Sequence, residues 1–568
     1  MAGLYYNMKN HKTTHIESLE IKEEKTMKIT RLMSLALVTM ATLLSACSGG
    51  AGAKPGIKGD VLLYAREHYA STHKGMRLLG EGNAAENYSS VKTEEGRYDC
   101  ITDVKALIVA VDFTDFPADS LPKGATGTLT DIEHAVLGTT EQTGWESLKS
   151  YYYKSSFGQC NITGTVIQDW YHTGVTVRQF ADGKITSSAT STNATKVLTK
   201  MVTEWAIEEK GINPKDYDAN KDGFIDSVIM IYSCEPHVRV GGQKVDDDLF
   251  WAFCWSRGVS SSDANKDRPE PFRYFWSSYY TFYEDGYWDA DGTHKDWTTA
   301  QIKNGTATLD AHTLIHEFGH VLSLPDYYNQ ESGEGCYEPL GALDMMAYNI
   351  GDHNAFSKAL YGWTAPYVVY GNATVTMRST TDTGEFIVIP FETLEDPEAD
   401  FTLLSQYIMI EFLTPTGVAY ADGKDAYAGA YPVYYSVPGV RVTLVDARLG
   451  MFDYSRKFLG FTGSVSAPKN GYTSFACDNV HVEYSYSKYC KLIEILSADG
   501  TEAKYLKGGK ADNNALYQKG DKFNMGGKGV WNDFCGHDNG GTWTKKFNFG
   551  FTITGMGTDT CTVKISKR

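Results

Sequence analysis

The chain has 568 residues, 42% apolar and 22% charged, with 70 Asp and Glu against 53 Lys and Arg for a net charge of −17. At roughly 150 residues per domain, this length allows three or four domains, or two larger ones. The composition is globular, too apolar for a disordered chain, and the acidic balance lacks the basic footprint of a nucleic-acid binder.

Residues 32–46, LMSLALVTMATLLSA, form an apolar stretch with Lys28 and Arg31 as its basic flank. It is shorter than the ~20 residues of a bilayer-spanning helix and fits a signal-peptide core. Met27 heads the flank, so residues 1–26 read as an over-called start. The stretch closes on Leu44-Ser45-Ala46-Cys47, which resembles a bacterial lipobox. That resemblance implies cleavage before Cys47, acylation of its thiol and a cell-surface lipoprotein anchored to a bacterial membrane. The alternative is an ordinary secretory peptide and a secreted chain; both readings export the protein. Residues 1–47 are thus the signal segment, and 48–99, rich in Gly, Ala, Lys and Glu, read as a tether with a short pro-segment. Setting Cys47 aside from ten cysteines leaves an odd number, so at least one thiol stays unpaired or pairs between chains. No CxxC occurs, which argues against a cysteine-based zinc ribbon. Cys477 and Cys490 are placed to close a short surface loop.

From residue 100 the pattern is α/β. Val104–Val111 is a nearly continuous apolar run, as expected of a strand buried on both faces. A helix is expected near Trp145–Ser155, a half-buried strand at Asn161–Gln168, a one-faced helix over 193–209, a buried strand at Ser227–Tyr232 and a helix from about Leu309 to Leu322. From 371 short strands dominate: Ala373–Met377, Glu385–Pro390, Gln406–Phe412, Val440–Val445, Phe547–Thr554 and Thr562–Ile565. This texture predicts a β-rich, β-sandwich-like C-terminal region over 371–568, after a domain spanning 100–370.

The chemistry concentrates at His316-Glu317-Phe318-Gly319-His320. Four residues apart on a helix, His316 and His320 share one face and can both reach a Zn²⁺ ion. Glu317 is rotated about 100° from His316, so it can approach a water at the metal without ligating. HExxH thus supplies two ligands and a general base. A catalytic zinc needs a third protein ligand. On an unbroken helix Asp326 would lie about 15 Å along the axis from His316, but Pro325 breaks the helix and disfavours the α region at Leu324. Asp326 can then fold back to the metal. Downstream, Asp344-Met345-Met346-Ala347-Tyr348 looks like the methionine turn that floors many zinc peptidases, with Met346 beneath the metal and Tyr348 placed to hydrogen-bond an oxyanion.

HEFGHVLSLPDYYN (316–329), this turn, and His353–Lys358 leading to Gly362-Trp363 resemble the immune inhibitor A-type zinc peptidases of bacteria. LIVAVDFTDF (107–116) and SYYYKSSFGQCNITGTV (150–166) are similar to that family's first strand and next helix and strand. The resemblance covers about 100–370 and is fainter beyond. It implies a zincin-like α/β (α+β) metalloprotease domain, zinc on His316, His320 and Asp326, and Glu317 as the catalytic glutamate. Ser323 stands where the family has Gly; a φ > 0 there would cost Ser about a kcal/mol or more.

A second metal is suggested by Asp218, Asn220, Asp222, Gly223, Phe224 and Asp226, whose spacing resembles the first part of a calcium loop, Phe224 contributing only its carbonyl. The twelfth position is Ile229, so this is not a full EF-hand; a structural Ca²⁺ is expected. Taken together, these readings give an exported, surface-anchored, monomeric zinc endopeptidase acting on proteins or peptides. The alternatives are an inactive surface adhesin on a protease scaffold and a cell-wall amide hydrolase; the intact Glu317 argues against the adhesin.

Overall fold

The computed structural model describes residues 56–63 and 103–568, apart from 246–248, 260, 285, 290, 292, 323, 331–337, 425–430, 464–467, 469, 481–484, 488–489, 503–508 and 527–530. The signal stretch, Cys47, Cys100, Ser323 and Cys336 therefore lie outside the described residues. Contacts divide the chain after Ile57, and Lys58–Arg568 form one unit.

The elements that position the site come in order: strand β1 (Ile57–Leu63), β2 (Asp103–Asp112), helix α1 (Gly124–Leu137), α2 (Leu148–Ser155), β3 (Asn161–His172), α3 (Ala194–Glu208), β4 (Ser227–Tyr232), β5 (Phe253–Ser256), β6 (Arg273–Ser278) and α4 (His312–Val321). Strands β3, β2, β4 and β6 lie side by side and parallel, and β5 pairs antiparallel with β6 at the edge. β4 is buried at every position, as a parallel sheet covered on both faces requires.

Side-chain alternation sorts the two faces. Ala106, Ile108, Ile229 and Ile231 share one apolar cluster with Ile132 of α1, Tyr152 of α2, and Ile315 and Phe318 of α4. Leu107, Val109, Val228 and Met230 point the other way, onto Leu198 and Val202 of α3. α2 starts at a capping box in which Ser147 and Ser150 satisfy each other's backbone N–H.

The C-terminal region is β-rich. After α5 (Ala355–Leu360) come β7 (Tyr367–Arg378), β8 (Phe386–Pro390), β9 (Gln406–Leu413), β10 (Gly439–Asp446), β11 (Leu449–Asp453), β12 (Phe458–Thr462), β13 (Gly471–Phe475), β14 (Ile493–Ile495), β15 (Lys522–Phe523), β16 (Phe549–Met556) and β17 (Thr560–Lys567). Nine strands form one sheet in the order β14-β10-β9-β8-β7-β17-β16-β15, with β1 also on β7; β12-β11-β13 form a smaller sheet. β7 crosses residue 370, and β1 lies within the stretch read as tether. The apolar cluster under the first sheet continues into Val388, Met409, Val445 and Ile493.

One buried ion pair ties the large sheet to the segment below α4. Arg441 of β10 and Glu411 of β9 are each 1% exposed and bonded Nε to Oε2 at 2.8 Å. Arg441 also donates to the Leu343 carbonyl at 3.0 Å, and Glu411 accepts from the Ala355 N–H at 2.9 Å.

Candidate active site

α4 carries His316, Glu317 and His320, whose ligand-capable atoms all lie within 4.8 Å of one another. Each imidazole is oriented through its Nδ1: His316 to the Met345 carbonyl at 2.7 Å and His320 to the Leu324 carbonyl at 2.9 Å. A carbonyl only accepts, so each Nδ1 is the donor. In the neutral ring that leaves an Nε2 lone pair facing the site.

The helix ends where Pro325 demands. Leu324 N–H reaches back to the Gly319 carbonyl at 2.9 Å, the 6→1 bond of a Schellman closure. Beyond it the chain reverses, and Asp326 Oδ1 stands 2.9 Å from His316 Nε2 and 3.4 Å from His320 Nε2. Burial would raise the Asp326 carboxyl, but the two imidazoles outweigh it and hold it far below the usual range. With both rings neutral, two nitrogen lone pairs and a carboxylate oxygen converge, all acceptors. A divalent cation satisfies such a set, and it is a donor set that zinc accepts.

Met346 is fully buried. Asp344 caps its turn, accepting from the Met346 N–H at 2.9 Å and from the Asn354 N–H at 3.0 Å. A Cβ on Gly319 would stand 2.4 Å from Met346 Sδ, so the glycine between the two histidines lets the methionine pack against the helix. Tyr348 is 41% exposed and lines a neighbouring hollow with Glu338, Ala347, Asn349 and Tyr431. Tyr328, which sequence reasoning passed over, lines both that hollow and the cleft at His316 and Glu317, and its ring stacks on His316 with centroids 6.4 Å apart. Its signal in the sequence was its place two residues after Asp326.

The cleft of about 240 Å³ is bordered by His316, Glu317, Tyr328, Glu284, Trp251 and Ala252. Glu317 is partly open to it. Burial raises its carboxyl, His320 and His316 oppose that, and the Cys254 N–H donates to it. Cys254 belongs to edge strand β5.

Behind the site, His312 at the start of α4 is fully buried between two carboxylates. Its Nδ1 is 2.9 Å from Asp310 Oδ1 and its Nε2 3.1 Å from Asp422 Oδ1. Trp145 stacks on the ring at 3.9 Å. Burial disfavours charge on His312, but Asp310 and Asp422 prevail and raise its pKa to about 10.

The acidic loop folds on itself. Asp218 accepts from the N–H groups of Asp222 and Gly223, each at 3.0 Å, Asp222 from Phe224 at 2.9 Å, and Asp226 from Lys105 at 3.1 Å and Ala219 at 3.2 Å. Asn220 Oδ1 accepts from Asp222 N–H at 3.1 Å. Gly223 sits at φ +91°, where a Cβ would meet Asn265 N at 2.7 Å. Burial, with Asp218 and Asp222 adding to it, lifts the Asp226 carboxyl to about 7 against the Lys105 and Ala219 N–H groups.

Residues 100–349 match the family model described as immune inhibitor A peptidase M6, catalytic domain. The resemblance is borne out over this region. An immune inhibitor A from Bacillus thuringiensis subsp. alesti is 26% identical over 216 residues, covering 36% of this chain and 28% of that protein. The match thus spans under a third of that relative's length. The family-model match, residues 100–349, includes the HExxH helix, the Asp326 return and the methionine turn.

Proposed function

We propose that this chain is a zinc-dependent endopeptidase with a zincin-type catalytic domain, exported and anchored at the cell surface through an acylated Cys47. The observation that carries the reading is the convergence of His316, His320 and Asp326 beside the Glu317 carboxylate, within a region that matches a peptidase family. His316, His320 and Asp326 would hold the zinc. Bound there, zinc supplies Lewis acidity to the scissile carbonyl and to the attacking water.

Glu317 takes the proton from the water and passes it to the departing amine nitrogen. A tyrosine hydroxyl donates to the developing oxyanion; Tyr328 borders the cleft and Tyr348 the hollow beside it, so both are assigned this task for test. Edge strand β5 follows Trp251 and Ala252 of the cleft wall, and its Cys254 N–H donates to Glu317. An extended peptide can add there as a further strand, which favours a polypeptide substrate over a cell-wall amide. Trp251, 42% exposed at the rim, offers an apolar face to a substrate side chain. The acidic loop would hold a structural Ca²⁺ through Asp218, Asn220, Asp222, the Phe224 carbonyl and Asp226, relieving repulsion among three carboxylates.

Casein hydrolysis with and without a zinc chelator, run beside purified peptidoglycan, tests the reading. Chelator-sensitive casein cleavage is expected. Peptidoglycan cleavage alone would favour the amide hydrolase, and no hydrolysis by the metal-loaded chain would favour the adhesin.

A further inference from the structure

A second convergent cluster lies in the β-rich region, away from the peptidase motif. Cys477 follows β13, Cys490 precedes β14 at the edge of the large sheet, and His537 sits on the hairpin strand Cys535–His537. Their ligand-capable atoms lie within 4.8 Å of one another. All three are buried, at 2%, 0% and 0% exposure, and both cysteines are free thiols.

The imidazole is fixed as a metal-binding histidine is fixed. Its Nδ1 is 3.0 Å from Asp446 Oδ2. Asp446 is held as a carboxylate by two bonds from Arg448, both 2.7 Å, and accepts from Gln406 Nε2 at 2.9 Å. Nδ1 is therefore the donor, and in the neutral ring Nε2 is a bare lone pair. That Nε2 is buried and faces the thiols, with Glu494 Oε1 3.5 Å away. A carboxylate behind the imidazole, orienting its other nitrogen inward, is the outer-sphere arrangement of zinc histidines.

We propose that Cys477, Cys490 and His537 bind a second, structural zinc ion, with Glu494 as the fourth ligand. Two thiolates and an imidazole are a soft S₂N set that suits zinc. Tetrahedral bonds of about 2.0–2.3 Å put neighbouring ligand atoms roughly 3.3–3.8 Å apart, so the cluster closes with small side-chain movement. The Cys–His–Asp order also suggests a nucleophilic triad, but full burial denies a substrate access to Cys490. The ion would staple the small sheet, the edge of the large sheet and the Cys535–His537 hairpin. The sequence hides it, since the ligands lack a CxxC knuckle and His537 is remote in the chain.

Cobalt substitution of the purified full-length chain tests this independently of the peptidase reading, because the HExxH site has no sulfur ligand. The expected result is two Co²⁺ per chain and a thiolate-to-cobalt charge-transfer band in the near ultraviolet. The band should persist in His316→Ala, with one ion left, and vanish in Cys490→Ser and His537→Ala. Added zinc should displace it from the wild type, a readout that needs no variant to fold. A folded wild type without the band, or a Cys477–Cys490 disulfide found by peptide mass analysis before reduction, overturns the proposal.

Discussion

Asp326 Oδ1 stands 2.9 Å from His316 Nε2, although ten positions separate the residues on a chain that begins as a helix. The reversal rests on the Leu324-to-Gly319 closure and on Pro325, so a carboxylate from beyond the helix completes the set. Asp326→Asn keeps the size and removes the charge. Losing even an outer-sphere partner costs about 10–100-fold in metal affinity, so this substitution should cost more than about 100-fold. Zinc titration against a competing chelator reads it, and wild-type affinity in the variant would remove Asp326 from the ligand set.

The buried triad Asp310–His312–Asp422 makes a pH prediction. The pKa of His312 is raised from 6.5 to about 10 in the folded chain. A raised imidazole contributes stability that is fully present below its unfolded value and is lost as pH rises through the folded one. Unfolding stability should therefore fall between about pH 6.5 and 10. The Trp145 ring stacks on the imidazole and the Tyr431 ring packs against it at a tilt. Asp422→Asn should make the fall shallower. Urea midpoints across this range check both, and a flat wild-type profile would contradict the account.

The Arg441–Glu411 pair supports the segment under the candidate metal site from the β-rich side. Removing one partner of a buried pair costs about 3–5 kcal/mol, so Arg441→Met should destabilise by that order. Adding Glu411→Leu should recover much of the loss, since the uncompensated charge is then gone. Denaturant unfolding of the single and double variants is the check; a single-variant loss under about 1 kcal/mol would show that the carboxylate finds other compensation.

For the acidic loop, selective removal of Ca²⁺ with zinc retained should lower the melting temperature, and Asp222→Ala should abolish the response. An unchanged melting temperature would discard the calcium site.

The sequence was most legible where local pattern and burial agree. Ser227–Tyr232 reads as a strand because all six side chains are buried, and the structure has that strand with the same limits. α1 was missed because Gly124, Thr126, Gly127 and Thr128 are weak helix formers; its helix depends on packing Leu129, Ile132 and Val136 into the core. β6 was missed because RYFWSS has no period-2 alternation. The HExxH pair and Asp326 were visible because one turn and one helix breaker encode them. Asp422 behind His312, Arg441 beneath the methionine turn and His537 beside two thiols were not. Each meets its partner across tens of residues or more, and no local spacing records such a pairing.

In the proposed mechanism Glu317 moves the proton while three other side chains hold the metal. Zinc content and casein turnover of Glu317→Gln, measured on the same preparation, test it most directly. The expected result is the wild-type zinc content and a loss in turnover of about 10²–10⁴-fold. Wild-type turnover in the zinc-loaded variant would contradict it.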